Sequence, residues 1–241
     1  MARSQDRVVV AYVHPAEIPV AFHSSLFGMV LRDRATSRRI VNVRGENSSA
    51  NITNARNRLT RRFLEEDAAE WLVWIDADMQ FDPDLVDRLL DSAHDVSAPV
   101  VGALCFGIDC GRVFTTMYQF VTDEAGVTTT LRMEAFPDRG KVQVGATGAA
   151  CFIVHRRVLE AVAALPGTDP AFPWFQETSL HGSPVGEDVT FFLRVGGADF
   201  PVYVDCGIRV GHQKSIIVDA EMFLRQRHER EHPCQACQSS T

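Results

Sequence analysis

The chain has 241 residues, 46% hydrophobic and 23% charged, which excludes disorder and, at roughly 150 residues per domain, points to one large domain or two small ones. No apolar run approaches the roughly 18 residues that span a bilayer, and the six apolar residues Val8 to Val13 run into His14, Pro15 and Glu17 rather than a cleavage site, so a cytosolic protein is expected. The net charge of −7 argues against broad polyanion binding and leaves room only for a local basic pocket; all but two of the 24 basic residues are arginine.

The first element is the apolar, β-branched run Arg7 to Val13, which suits a strand buried on both faces. A helix over Ser24 to Arg34 follows, then a strand over Arg39 to Arg44 and a polar loop, Gly45 to Ser49. Ile52, Ala55, Leu59 and Phe63 then recur at helical spacing. Trp71 to Ile75 is a second buried strand that runs directly into Asp76-Ala77-Asp78. Asp82-Pro83 reads as the start of a helix with Leu85, Val86, Leu89 and Leu90 on its inner face. Pro99 to Leu104 makes a fourth strand, so this half alternates strand and helix as a parallel α/β sheet does.

Residues 106 to 147 change character, with short β-like runs split by glycine and acidic turns, and an antiparallel excursion is expected there. A strand at Ala150 to Val154, helices at Arg156 to Ala164 and Gly186 to Val195, and a last strand at Val202 to Val204 complete the pattern. The six cysteines are spread over a chain without a secretion signal and read as reduced thiols.

Three places carry candidate chemistry. Asp76 and Asp78 leave a buried strand at its carboxyl end, where open α/β folds gather ligands, and paired carboxylates there suit a hard divalent ion. Their alternative is simple turn capping. Asp188 shares a helical stripe with Phe191, Phe192 and Val195, so a carboxylate faces inward, which is costly unless a cleft or a partner compensates it. Favouring the positive helix end is the bland alternative. His212 follows the last strand, where a lone histidine is more often structural than a ligand. Arg56-Asn57, in the helix after the second strand, and Gly145 to Ala149, a glycine-rich run that lets backbone approach a ligand, complete the set.

In order and spacing these pieces resemble the nucleotide-sugar glycosyltransferases of the GT-A fold, in particular the compact family-2-like enzymes of bacteria and phages. The resemblance rests on the N-terminal βαβ half, Ala55-Arg56-Asn57, the strand into Asp76-Ala77-Asp78, the Gly145 to Cys151 segment, Pro173-Trp174-Phe175, Glu187-Asp188 and His212, and covers about residues 7 to 215. Segment 106 to 143 departs from the better-known members.

The resemblance implies a single Rossmann-like α/β domain over 1–225 with a central mixed sheet flanked by helices. Its nucleotide-binding half would run over about 7–104 and its acceptor half over about 105–225. It implies Mn²⁺ or Mg²⁺ held by Asp78 and His212, with Asp76 acting through water or the ribose. Donor contacts would come from His14, Arg44, Arg56, Asn57, Ala77, Thr147, Gly148 and Ala149. Asp188 would be the base of an inverting transfer, or would orient substrates in a retaining one. Trp174, Phe175 and Glu187 would meet the acceptor, although the two aromatics read equally well as core. The acceptor itself, whether protein, glycan or modified nucleic acid, is not legible.

A sugar nucleotidyltransferase would want a glycine-rich basic loop after the first strand, where this chain has His14-Pro15-Ala16-Glu17. An Asp-x-Asp phosphatase would want a hydroxyl soon after the pair and a downstream lysine, whereas Met79-Gln80 follow and lysines number two. A non-catalytic nucleotide-sugar binder stays open. In the tail, 226–241, His228, His232, Cys234 and Cys237 form an H-x₃-H-x-C-x₂-C arrangement that offers zinc four ligands; an unbound tail is the alternative.

Overall fold

The computed structural model describes residues 7–48, 51–109, 111–124, 126–180 and 182–215, with 220, 223, 224 and 227. In chain order the elements of the first half are β1 (Val8–His14), α1 (Val20–Ala35), β2 (Ile40–Asn47), α2 (Ile52–Glu66), β3 (Trp71–Ile75), β4 (Met79–Gln80), α3 (Leu85–Ser92) and β5 (Val100–Leu104). The excursion consists of β6 (Phe106–Asp109), β7 (Arg112–Thr115), β8 (Met117–Thr122), β9 (Thr128–Arg132), β10 (Lys141–Val144) and β11 (Ala146–Thr147). Then come β12 (Cys151–His155), α4 (Arg156–Ala163), β13 (Thr178–Leu180), β14 (Ser183–Val185), α5 (Glu187–Gly197), β15 (Val202–Arg209) and β16 (Gly211–His212).

Seven strands form the central sheet in the order β10-β15-β5-β12-β3-β1-β2. β1 is parallel to β2 and β3, and β5 is parallel to β15. β12 runs antiparallel between β3 and β5, and β10 antiparallel along β15. The carboxyl ends of β1, β2, β3, β5 and β15 therefore share one edge, and the start of β12 meets them there. The fold is a mixed α/β sheet flanked by helices, as the sequence pattern implied.

Burial on both faces explains the unbroken apolar strands. One core cluster packs Ala55, Leu59 and Phe63 of α2, Val158, Leu159 and Val162 of α4, and Phe191, Phe192 and Val195 of α5 against one sheet face. A second packs Phe22 and Met29 of α1 and Leu85, Val86 and Leu89 of α3 against the other. Trp71 to Ile75, buried throughout, serves both.

Local boundaries differ from the sequence reading in several places, and α1 starts four residues earlier than expected, at Val20 directly after Pro19. β2 continues through Gly45 to Asn47, because every residue of β1 from Val9 to His14 supplies a partner. α3 starts at Leu85 after Asp84, and the backbone carbonyl of Asp82 accepts from Leu85 N (3.1 Å), so Asp82 turns the chain one step before the helix. β15 extends to Arg209, and a further strand, β16, follows it to pair with β4. Among the described residues no helix is long and apolar enough to cross a membrane. Cys105, Cys151 and Cys206 are buried free thiols, whereas Cys110 and the proposed zinc ligands His228, His232, Cys234 and Cys237 lie outside the described residues.

Candidate active site

The site is built where β3 ends. Asp76 N donates to Ala150 O (2.8 Å), which ties the first residue after β3 to the start of β12. Met79 N donates to Asp76 O (3.1 Å), closing a tight turn around Ala77 and Asp78. β4 follows, and its antiparallel partner is β16, with His212 opposite Met79. That short pairing, with Gln213 N donating to Asp78 O (2.8 Å), carries His212 across to Asp78.

Asp78 Oδ2 lies 3.0 Å from His212 Nε2 and 2.8 Å from Lys214 Nζ. Burial works to raise the Asp78 carboxyl, but the hydrogen bonds from His212 and Lys214 overcome it and bring the pKa down to about 2. His212 is raised in turn, first by its hydrogen bond to Asp78, against burial. Its Nδ1 faces Phe106 O at 2.9 Å. A carbonyl only accepts, so Nδ1 carries a proton; an ionised carboxylate only accepts as well, so something positive must sit on Nε2. In the metal-free protein that is a second proton.

The same geometry fits a divalent cation. A ligating histidine characteristically donates its other N–H to a backbone carbonyl, and cis ligands at about 2.1 Å lie about 3 Å apart in an octahedral shell. Among the described residues no group of three or more His, Cys, Asp or Glu side chains is placed to hold a metal unaided. Asp78 and His212 would supply only two ligands and would need oxygens from a bound ligand to complete a shell, and Lys214 sits on the oxygen an ion would take.

Asp76 goes elsewhere. Its Oδ1 accepts from Arg56 Nη2 at 2.7 Å, and Arg56 Nη1 lies 3.4 Å from Glu187 Oε1. Arg56 is 3% exposed and its guanidinium lies 5.5 Å from the Phe175 ring centroid. Burial alone would lower Arg56, and the charges of Asp76, Glu187 and Asp188 reverse that and raise it. Burial pushes the Asp76 carboxyl up, with Arg56 pulling it back. Asp76 is thus the counter-ion of a buried arginine, not a member of the Asp78–His212 pair.

Asp188, in the first turn of α5, has its Oδ1 bonded to Val189 N (2.7 Å), and no side chain donates to it among the described residues. Burial first, and then the neighbouring Glu187, raise its pKa, with backbone hydrogen bonds and Arg56 opposing. Its charge is felt at both Asp76 and Arg56, so the two carboxylate groups share one crevice.

A cavity of about 270 Å³ opens beside this cluster, lined in part by Val13, Ser48, Ile52, Asp76, Ala77 and Asp78. His14 stands at the carboxyl end of β1, partly buried, with Nδ1 2.7 Å from Pro15 O. Ser48 donates to His14 O through both N (2.9 Å) and Oγ (3.1 Å) and closes the β1–β2 end.

Other expected contacts have structural partners or are buried. Arg44 is not at a strand end, since β2 runs three residues further; it is locked onto Asp67 (2.8 Å) and Glu66 (2.9 Å) at the far end of α2. Asn57 is a buried clamp: Nδ2 donates to Phe175 O (2.7 Å), and Oδ1 accepts from Trp174 N (3.2 Å) and Phe175 N (3.3 Å). Trp174 and Phe175, at 3% and 0% exposure, are core and not an acceptor platform; Trp174 Nε1 donates to Leu159 O. Thr147 and Ala149 are buried, whereas Gly148 is partly exposed and packed so close to Thr116 that a Cβ would sit 3.2 Å from its Cβ. Lys214 was not singled out in the sequence; its position two residues past His212 was the available signal.

No known protein-family model matches the chain, and no curated protein matches it in sequence. Solved structures do match its fold. The crystal structure of A197 from STIV aligns with a TM-score of 0.56 at 14% identity, over 87% of this chain and 86% of that one. The crystal structure of GalNAc-T7 with UDP, GalNAc and Mn²⁺ aligns with a TM-score of 0.56 at 10% identity, over 87% of this chain and 44% of that one.

The chain has the GT-A fold. In this GT-A domain the Asp-x-Asp turn, the α5 carboxylates and the late histidine meet at the carboxyl edge of the sheet. The chain spans less than half of GalNAc-T7, so the likeness is one of architecture.

Proposed function

We propose that this GT-A domain is a metal-dependent glycosyltransferase that moves a sugar from a nucleoside-diphosphate sugar to an acceptor hydroxyl. The observation that carries the reading is the pairing of Asp78 with His212, which could give a cation two ligands, beside a separate carboxylate, Asp188, to which no side chain donates among the described residues. A protein of the same fold crystallised with UDP, GalNAc and Mn²⁺ supports both donor and ion.

Asp78 and His212 would hold Mn²⁺ or Mg²⁺, whose charge stabilises the departing diphosphate. The donor nucleotide would enter the cavity between Val13, Ser48 and Ile52, with His14 next in the chain to the lining residues Val13 and Pro15. Asp188 would take the proton of the acceptor hydroxyl as its oxygen bonds to the anomeric carbon and the bond from that carbon to the diphosphate oxygen breaks, which inverts the centre. A raised carboxyl pKa suits this task, since a stronger base accepts the proton more readily. Glu187, tied to Arg56, would hold the start of α5 in place rather than touch the acceptor. Lys214 must leave Asp78 Oδ2 when an ion binds there, and the incoming diphosphate offers it new acceptors.

Hydrolysis and binding of UDP-, GDP- and dTDP-sugars, with and without Mn²⁺, test the reading. Metal-stimulated release of nucleoside diphosphate from one of them is expected. If none binds in the presence of metal, the reading is wrong.

A further inference from the structure

Toward the β15 end of the sheet, away from β1 and β2, a cavity of about 520 Å³ is lined by Arg88, Asp138, Arg139, Gly207 and Arg209. It lies where β15 bulges. Asp205 pairs with Ala103 and Arg209 with Leu104, so one step along β5 is matched by four along β15. Such bulges re-aim side chains. The bulge is fastened from within, because Asp205 Oδ1 accepts from Gly207 N (2.9 Å) and Asp205 Oδ2 accepts from Ser92 Oγ (2.7 Å).

The arginines are held by backbone carbonyls rather than by acids. Arg88 donates to Gly207 O, and Arg209 donates to Cys206 O (3.3 Å) and Asp138 O (3.0 Å). Their nearest carboxylates are Asp82, 4.0 Å from Arg88, and Asp138, 3.6 Å from Arg209; both acids are largely in solvent and screen rather than neutralise. No ion pair forms at Arg139 among the described residues. Three arginines thus border one cavity, each with most of its five N–H donors not bonded to protein among the described residues.

We propose that this cavity binds a phosphate group, and that the group belongs to the acceptor. A carboxylate is satisfied by one guanidinium fork, whereas three forks from different elements match a phosphate's several oxygens. The volume falls within the range of small-ligand sites. The place fits an acceptor as well: Arg209 precedes His212 by three residues, at most about 10 Å of chain, and lies beyond β5, away from β1 and β2. The second half of the proposal rests on the glycosyl-transfer reading; the first does not. In a chain of net charge −7, this is a local basic pocket on an otherwise acidic protein.

The test uses the full chain with UDP and Mn²⁺ at saturation, so that the diphosphate site is blocked. Two probes are titrated: glycerol 1-phosphate and a labelled twelve-residue oligothymidylate. Binding of either is expected, weakened about five- to tenfold by Arg139→Gln and by Arg209→Gln, with donor hydrolysis unchanged in both variants. Equal affinity for both probes assigns the site to a single phosphate. Tighter oligothymidylate binding with a log–log salt slope near −2, about 0.7 for each of three contacts, assigns it to a nucleic-acid backbone. Arg139 makes no hydrogen bond or ion pair among the described residues, so Arg139→Gln keeps the test readable if the Arg209 variant folds poorly. If neither probe binds, or if binding ignores both substitutions, the proposal is overturned. Because donor hydrolysis is read separately, its absence would sink the transferase reading without touching the phosphate site.

Discussion

Asp76 and Asp78 are two residues apart and have opposite surroundings. Asp76 lines the cavity on one side and on the other is held by Arg56, 3% exposed, which bridges it to Glu187 and through it to the helix that carries Asp188. Asp78 faces the crevice, where it meets an imidazole and a half-exposed ammonium that arrive from the end of the described chain. The first acid is matched by one fixed guanidinium. The second is matched by two cations that reach it from a segment 134 and 136 residues further on. Two acids in one short motif can therefore have quite different partners.

The largest effect is expected at the base. Asp188→Asn should lower kcat by about 10²–10⁴ with donor KM little changed. The wild-type rate should rise with pH through the raised carboxyl pKa, and the variant should lose that limb. The sign for stability is the reverse of the usual carboxylate case. A folded pKa above the unfolded value means that the ionised form costs stability at neutral pH, so the variant should melt higher. A variant with normal turnover would remove Asp188 from the mechanism.

The Asp76–Arg56–Glu187 circuit should be nearly as sensitive, through folding instead of rate. Arg56→Leu leaves Asp76 and Glu187 buried without their cation and should cost about 3–5 kcal/mol in urea unfolding. A loss below about 1 kcal/mol would show that the circuit is not structural. Asn57→Ala strips the partners from the backbone amides of Trp174 and Phe175 and should cost about 1–3 kcal/mol by the same measurement, leaving metal affinity alone.

At the crevice end the effects should be smaller and should depend on pH. His212, raised by Asp78, must lose a proton to admit an ion. Apparent Mn²⁺ affinity measured calorimetrically should therefore rise with pH up to about tenfold per unit, until it levels off above the histidine pKa. The Asp78–His212 pair contributes stability to the metal-free protein fully between the ordinary carboxylate and histidine values; it loses it as pH rises through the raised histidine pKa, and again as pH falls toward the Asp78 value of about 2. His212→Gln should flatten the Mn²⁺ profile; an unchanged profile would move the ion elsewhere. Lys214→Met, at an exposed pair, should change stability by less than about 1 kcal/mol while tightening Mn²⁺ binding several-fold, since the competing ammonium is gone.

What was legible in the sequence was whatever the local pattern dictates. Trp71 to Ile75 has no polar residue and is a strand with those bounds; Ile52, Ala55, Leu59 and Phe63 repeat helically and fall in α2; Asp188 lies on the inner stripe that its spacing put it on. Partners that arrive from a distance were not legible. Arg56 and Asn57 read as donor contacts because nothing nearby announces the carbonyl of Phe175, 118 residues on. Trp174 and Phe175 read as a platform or as core, and packing against Leu159 and Phe191 settles them as core. Arg44 was misplaced by three residues of strand, because β1 is long enough to pair with all of them.

The two-residue strands β4 and β16 have one more consequence. They close a loop of 134 residues at Asp78 and His212, so nearly everything between must fold before these two side chains can meet. An ion shared between them would act as a removable crosslink on that closure. At a hundred times its dissociation constant it would add about 2.7 kcal/mol to the folded state, and a chelator would take that away. The thermal midpoint would then record the occupancy of the crevice even where no sugar is transferred.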